Sequence, residues 1–430
     1  MRTTIKSLSA LEILDSRGNP TVSATVILEN GISASAAVPS GASTGEREAA
    51  ELRDNDPARY GGKGVLKAVA NIEGEIAAAL CGMDATGQDS IDRRMIELDG
   101  TPDKSRLGAN AILGVSMAAA RAGAAASGLP LYRYLGGANA RMLPVPCLNV
   151  INGGRHADNT LDFQEFKIAP HSAPNFQESI RMGVETFHAL KGILHERKYS
   201  TGIGDEGGFA PDLQSNDEAV EIIIAAIEKA GYRPGDDISI CVDPATSEMW
   251  SDGRYEFFKS GGGSLSSDEM IGLWKNWVSR YPIALLEDPL GEKDWAGWKK
   301  LTAELGPHLE IVGDDIFCTN PGILREAIRQ QVANSVLIKL NQIGTVSETL
   351  DCIALAQAHS YRCYISHRSG ETDDTFIADL SVATGAGHLK TGSGCRGERV
   401  VKFNRLLAIE KELGRSATFG GQLLTWRVRS

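Results

Sequence analysis

The feature that most constrains how this chain can fold is an alternation that occupies its last two thirds. From about residue 137 onward, short apolar runs give way repeatedly to stretches with helical spacing. The runs cover 145–151, 163–168, 238–242, 283–286, 310–312, 335–340, 362–365 and 388–389; helical patterns cover 176–196, 217–230, 268–280, 321–330, 346–359 and 375–383. A run that is apolar at successive positions lacks the in-and-out rhythm of a half-exposed strand, so both of its faces must be covered. Strand-then-helix units of this kind predict a parallel sheet closed into a β/α barrel. The first two runs have no helical stretch between them, which predicts an irregular start to the winding.

Residues before 137 follow another rule. Apolar segments alternate with polar positions over 5–37, and turn signals at Gly18-Asn19-Pro20 and Asn30-Gly31 break them into a strand meander. Ala- and Leu-rich patterns over 65–80 and 109–127 predict helices, the second ending at Gly128 with Pro130 just beyond. The expected organisation is therefore α/β: an α+β domain over 1–136 and a barrel over 137–430. With 44 basic against 55 acidic side chains the formal charge is -11, which disfavours a broad grip on nucleic-acid phosphates. No run of 18 apolar residues suggests a membrane span, and Met1-Arg2-Thr3-Thr4-Ile5-Lys6 lacks an apolar leader. The seven cysteines are scattered without a CxxC pair. A cytoplasmic protein with reduced thiols is expected.

The apolar runs carry charge where they stop. Glu165, Asp243, Glu287, Asp314, Lys339, His367 and Lys390 stand at such positions, and Glu206 lies in the loop Gly204-Asp205-Glu206-Gly207-Gly208. From Asp243 the intervals are 44, 27, 25, 28 and 23 residues, close to one βα unit each after the first. One rim of the barrel, where catalytic groups of such barrels sit, should then collect carboxylates, two lysines and a histidine. A carboxylate after a strand is often only a helix cap. Asn320 followed by Pro321 is a better cap than Asp314, and Asp294 a better one than Glu287. Freed of that duty, the carboxylates Asp243, Glu287 and Asp314 would repel one another unless a cation neutralised them, and hard oxygen ligands suit Mg²⁺.

Lys339 closes an apolar run where a surface lysine is out of place, although a snorkelling stem would also explain it. With Lys390 near it, each ammonium is expected to depress the other's pKa, and either could serve as a base. The segment Ser366-His367-Arg368-Ser369-Gly370-Glu371-Thr372 offers a guanidinium and hydroxyls that suit a phosphate or carboxylate. Two further loops, 39–45 and 152–157, have the Gly, Ser and His content of lids. Neither is a nucleotide-binding phosphate loop, and no dinucleotide fingerprint is present.

Taken together, Asp15-Ser16-Arg17-Gly18-Asn19-Pro20-Thr21, Pro39-Ser40-Gly41-Ala42-Ser43-Thr44-Gly45, Gln164-Glu165-Phe166, the 204–208 loop, Glu287-Asp288-Pro289, Gly313-Asp314-Asp315, Lys339-Leu340-Asn341-Gln342-Ile343-Gly344, the 366–372 segment and Lys390-Thr391-Gly392 closely resemble the enolase family. The likeness spans nearly the whole chain. It implies an N-terminal capping domain, a Mg²⁺-dependent barrel with two ions per site, a homodimer or higher homo-oligomer, and dehydration of 2-phosphoglycerate to phosphoenolpyruvate. It further implies that Asp243, Glu287 and Asp314 hold one metal while Ser40 belongs to the loop that closes with the second. Lys339 would be the base at C2, and Glu206 with Glu165 would handle the hydroxyl leaving C3. His156, Gln164, His367, Arg368, Ser369 and Lys390 would bind the phosphorylated acid. Pro244 after Asp243, Leu290-Gly291-Glu292 and Ser23 depart from the family pattern. They leave two alternatives open, a paralogue acting on a phosphonate analogue and a non-catalytic scaffold.

Overall fold

The computed structural model describes residues 3–42 and 45–424. Ser43 and Thr44, named above within the 39–45 loop, lie outside them. The chain opens with an antiparallel meander, Ile5–Leu14, Pro20–Leu28 and Ser33–Ala37. Its first turn is held by Asp15, whose Oδ1 accepts the backbone N–H of Arg17 at 2.8 Å and of Asn19 at 2.9 Å, an Asx-type turn that a short acceptor side chain makes possible. Period-two patterning places Val22, Ala24, Val26 and Leu28 on one wholly buried face. The helix Ala109–Ala126 packs on this face, and its Ala and Gly side chains bring it close: a Cβ at Gly114 would stand 3.1 Å from that of Ala24. The helix expected over 65–80 is interrupted. Leu66–Asn71 runs through a wider π-turn, Ile72–Ile76, into Ala77–Leu80, and Glu73 in that turn accepts the Ala10 backbone N–H at 3.1 Å. Periodicity alone does not register one such widened turn.

The second unit is a closed barrel of eight strands: Val145–Asn152, Glu165–Pro170, Ile238–Asp243, Ile283–Glu287, Glu310–Gly313, Ser335–Ile338, Arg362–Ser366 and Gly387–Lys390. They follow one another around the barrel in chain order. The second strand runs antiparallel to both neighbours, and the others are parallel. This reversal corrects one detail of the sequence reading. Glu165 begins its strand rather than ending it, and it reaches the same rim as the other charges only because that strand points the other way. Helices begin where capping chemistry allows. Asn320 Oδ1 accepts from Gly322 and Ile323, Asp294 accepts from Gly297, and Ser266 with Glu269 forms a capping box. Asp314 and Glu287 are thereby free of capping.

The barrel interior is layered. Below the rim, Cys147, Cys241, Leu285, Val312, Leu337 and Tyr364 fill the lumen. At that end Glu310 and His388, both fully buried, pair at 2.8 Å, with an Arg362 nitrogen 3.4 Å from the same carboxylate oxygen. The two domains meet through a reciprocal backbone bridge: Ser40 N–H to Gly370 C=O at 2.8 Å and Gly370 N–H to Ser40 C=O at 2.9 Å. Gly370 is required there, since a Cβ would lie 2.3 Å from Asp15 Oδ2 and 2.6 Å from an Arg17 nitrogen. All seven cysteines are free, and Cys81 alone is exposed. Among the described residues no single helix is long and apolar enough to cross a membrane.

Candidate active site

A cavity at the rim of the barrel is lined by His156, Gln164, Glu165, Glu206, Asp243, Asp288, Asp314, Asp315, Lys339, His367, Arg368, Ser369 and Lys390 among others. Strand pairing sets Glu165 opposite Asp243. Glu287 closes the next strand, and the Lys390 ammonium joins all three carboxylates, 2.5 Å from Glu287 Oε1, 3.0 Å from Glu165 Oε2 and 3.5 Å from Asp243 Oδ2. Burial alone would lower the pKa of Lys390, but Glu165, Glu287 and Asp243 outweigh it and hold it well above the ordinary lysine value.

Across the cavity wall Lys339 Nζ lies 2.5 Å from Asp314 Oδ2, while Gln342 Nε2 donates to Asp314 Oδ1 at 2.8 Å. The expected depression of Lys339 by Lys390 is present but does not decide its pKa. Burial and Lys390 do pull Lys339 down, but Asp314 raises it past its usual value, so Lys339 is protonated in this arrangement. The carboxylates stand in compact groups. Ligand oxygens of Glu165, Asp243 and Glu287 lie within 4.8 Å of one another, and those of Asp288, Asp314 and Asp315 form a second such group.

Glu206 comes from the glycine-rich loop and is almost wholly buried. Its Oε2 accepts from Asn149 Nδ2 at 2.8 Å, and Oε1 lies 3.7 Å from His156 Nδ1 and 3.9 Å from His367 Nε2. Burial first, and the Glu165 charge second, push the Glu206 carboxyl up to about 8. Glu165 goes the other way: burial would raise it, but Lys167 and Lys390 hold it well below the carboxylate range. Two neighbouring carboxyls with pKa values driven apart mark one as proton carrier and the other as fixed charge. The histidines are neutral. Burial lowers His156 to about 4, and burial with the Arg399 charge holds His367 well below its ordinary value. Because a guanidinium only donates, His367 Nδ1, 2.6 Å from Arg399, must accept, which leaves its Nε2–H facing Glu206.

Arg368 forms a two-pronged pair with Glu48, at 2.9 and 3.1 Å, and donates to Asn341 Oδ1 at 3.0 Å. Ser369 Oγ accepts from Ala42 N–H at 2.8 Å and from Arg17 at 3.3 Å. Gln164 Oε1 and both ring nitrogens of His156 are buried without a hydrogen-bond partner among the described residues; such atoms are costly unless a ligand meets them. Ser40 stands apart from the carboxylates. Its hydroxyl donates to Glu51 at 3.0 Å and accepts from Arg53 at 3.1 Å, so it braces the loop rather than facing the cavity.

The donor set fits a hard divalent cation. Both carboxylate groups offer only oxygen, and acid outnumbers base strongly enough to raise Asp243 far above its ordinary value, first by burial and then by Glu287 and Glu165, and Asp288 likewise, first by burial and then by Asp315, Asp314 and Asp243. Sequence reasoning missed several participants. Asp288 holds the backbone N–H of Asp314 at 2.8 Å and of Asp315 at 3.0 Å from a left-handed backbone (φ 40°) that sequence does not reveal. Glu48 reaches the site from 320 residues away, and Arg399 from a helix 32 residues beyond His367. Lys167 had a legible signal, since it stands two positions from Glu165 on the same face of one strand.

Comparison with known proteins accounts for both halves of the chain. Residues 5–135 match the family model described as the enolase N-terminal domain, and residues 140–427 match the enolase C-terminal TIM barrel domain. A curated relative, Enolase 1 of Chlorobaculum tepidum, is 64% identical over 417 residues, which is 97% of this chain and 98% of the relative. On the barrel with its reversed second strand, the paired carboxyl groups and this full-length likeness, the chain belongs to the enolase family.

Proposed function

We propose that this protein dehydrates 2-phosphoglycerate to phosphoenolpyruvate, with Lys339 as the base at C2 and Glu206 as the acid at C3. The observation that carries the reading is that one cavity presents a lysine, a carboxyl with its pKa raised to about 8, and an unusually acidic wall. The substrate is an anion with a weakly acidic C2 proton and a poor leaving group, so it needs a base, an acid and positive charge at once. Lys339 accepts a proton only after its pair with Asp314 is broken. Glu206, still protonated at neutral pH, delivers its proton to the departing hydroxyl, and the Glu165 charge beside it keeps that proton in place. Arg368 and Ser369, with His156 and Gln164, are placed to receive the phosphate and carboxylate, Arg368 exchanging Glu48 for the substrate. Lys390 lies where charge builds on the substrate carboxylate.

The family implies a divalent metal. We assign Mg²⁺, two ions per site: Asp243, Glu287 and Asp314 would hold one, with Asp288 and Asp315 adjoining, and the loop carrying Ser40 would close with the second. Bound there, the ions would stabilise the dianion formed when C2 loses its proton. We also propose a cytoplasmic homodimer or larger homo-oligomer; Leu11 and Leu14, large apolar side chains 67% and 57% exposed on the edge strand of the meander, are the kind of groups an interface would cover. The phosphonate-analogue alternative is not favoured by the full-length identity to a curated enolase. The test is an assay of 2-phosphoglycerate with and without Mg²⁺: turnover that requires the metal is expected, and a folded protein inert toward this substrate in saturating Mg²⁺ overturns the proposal.

A further inference from the structure

Lys167 is a charged residue at the site to which the proposed reaction gives no part. It projects from the second barrel strand one layer beneath Glu165, its side chain wholly buried, with Nζ 2.7 Å from Glu165 Oε2 and 2.8 Å from Glu287 Oε2. Its ammonium therefore pairs with both carboxylates at once. Lys390 touches the same carboxylates from the other side and differs in one respect. Lys390 lines the cavity, while Lys167 does not, and beneath Lys167 lie the packed side chains of the lumen. A substrate can draw Lys390 away, but Lys167 has nowhere to go. The two oxygens of Glu287 are therefore unequal: Oε1 faces the cavity-side ammonium and Oε2 is tied down.

We infer that Lys167 is a positioning residue that pins Glu287 Oε2, so that Glu287 presents the single oxygen Oε1 to a divalent cation, and that its fixed charge holds the affinity for that cation down. The inference rests on the reading of Glu287 as a metal ligand. A cation held in a buried carboxylate group feels a neighbouring ammonium strongly, because the screening of bulk water is missing. Removing that ammonium releases the second oxygen and adds a net negative charge to the site. A lysine that merely fills space would be replaced by methionine, of similar length, without consequence for the metal.

The experiment is calorimetric titration of Mg²⁺ into the parent protein and Lys167→Met, both without substrate, with melting curves in the presence and absence of Mg²⁺. The variant is expected to bind Mg²⁺ about tenfold more tightly or better, to show a larger Mg²⁺-induced rise in melting temperature, and to lose kcat with little change in KM. Affinity equal to or weaker than the parent's in a folded variant overturns the inference. Lys167→Gln provides the same reading if Lys167→Met does not fold. Should both unfold without metal, recovery of cooperative melting in millimolar Mg²⁺ supports the role, and failure to recover overturns it. A parent that binds no Mg²⁺ removes the metal assignment and this inference with it, whereas a parent that binds and variants that do not differ remove this inference alone.

Discussion

The two ends of the barrel lumen both bury charge, and they solve the problem in opposite ways. At the closed end Glu310 and His388 answer each other and Arg362 stands by, so the acid is lowered and the base raised, each partner outweighing the burial that opposes it. At the open end acid is in excess. Glu206 and Asp315 are pushed up to about 8, and Asp243 and Asp288 are raised well above the ordinary carboxylate value, burial being the largest cause in each. A closed account of charge stabilises a fold, and an open one leaves work for an incoming cation and substrate. Buried charge is thus no guide to function until its partners have been counted.

The sharpest way to break the comparison is at the open end. Lys339→Ala should lower turnover by about 10⁴ and abolish exchange of the C2 hydrogen with deuterated solvent, while Glu206→Gln blocks product yet leaves that exchange measurable. Proton NMR of 2-phosphoglycerate in D₂O reads both, and exchange persisting in folded Lys339→Ala would falsify the base assignment.

The closed end should behave inversely. Glu310→Gln is expected to destabilise the fold by roughly 3–5 kcal/mol, since it strands a buried imidazolium, with kcat of the folded fraction unchanged. The pair also predicts a pH window. His388, raised above 6.5, contributes stability that is complete below that value and fades as pH climbs through its folded pKa. Glu310, lowered from 4.5, contributes above that value and fades as pH falls through its folded pKa. Melting temperature against pH should show an extra plateau between about 4.5 and 6.5 in the parent that Glu310→Gln lacks. Parallel curves for the two proteins count against a self-compensated pair.

A smaller effect is expected from Glu287→Gln, which should raise the Mg²⁺ concentration for half-activity by about 10–100-fold, the range typical of losing one determinant of a metal site. The same titration followed by melting should show a weakened Mg²⁺-induced shift, against about 2.7 kcal/mol for a hundredfold excess over Kd in the parent. Identical metal dependence would detach Glu287 from the metal. The mildest prediction concerns pH: forward kcat/KM should decline as pH rises through about 8, where Glu206 loses its proton. Persistence of that decline in the residual activity of Glu206→Gln would assign it to another group.

Much of the open end was legible in sequence because strand geometry turns position into place. Asp243, Glu287, Asp314 and Lys390 close or follow apolar runs, and a barrel gathers such positions on one rim. What escaped were facts of direction and distance. The reversed strand put Glu165 at the right rim by a route that no apolar run announces. Partition of the carboxylates depends on which lysine each one meets, and Asp314 meets Lys339 instead of sharing Lys390 with Glu287. The bonds of Ser40 to Glu51 and Arg53 are likewise three-dimensional and leave no mark in its loop sequence. The closed-end pair was equally hidden, since Glu310 and His388 come from strands 78 residues apart and each begins an apolar run like any other.

The reciprocal bridge between Ser40 and Gly370 has a consequence for biosynthesis. The meander and its helix can form as soon as they leave the ribosome, but the backbone of Ser40 lacks its bridge partner until the chain has been extended through Gly370. At about 5–20 residues per second that delay is some tens of seconds. Throughout it, Arg17 and the loop beside it lack the contacts with Ser369 and Gly370 that give them their final pose. The catalytic mouth is therefore among the last parts of the molecule to be completed, and a ribosome that stalls anywhere before residue 370 leaves a protein with a folded beginning and no active site.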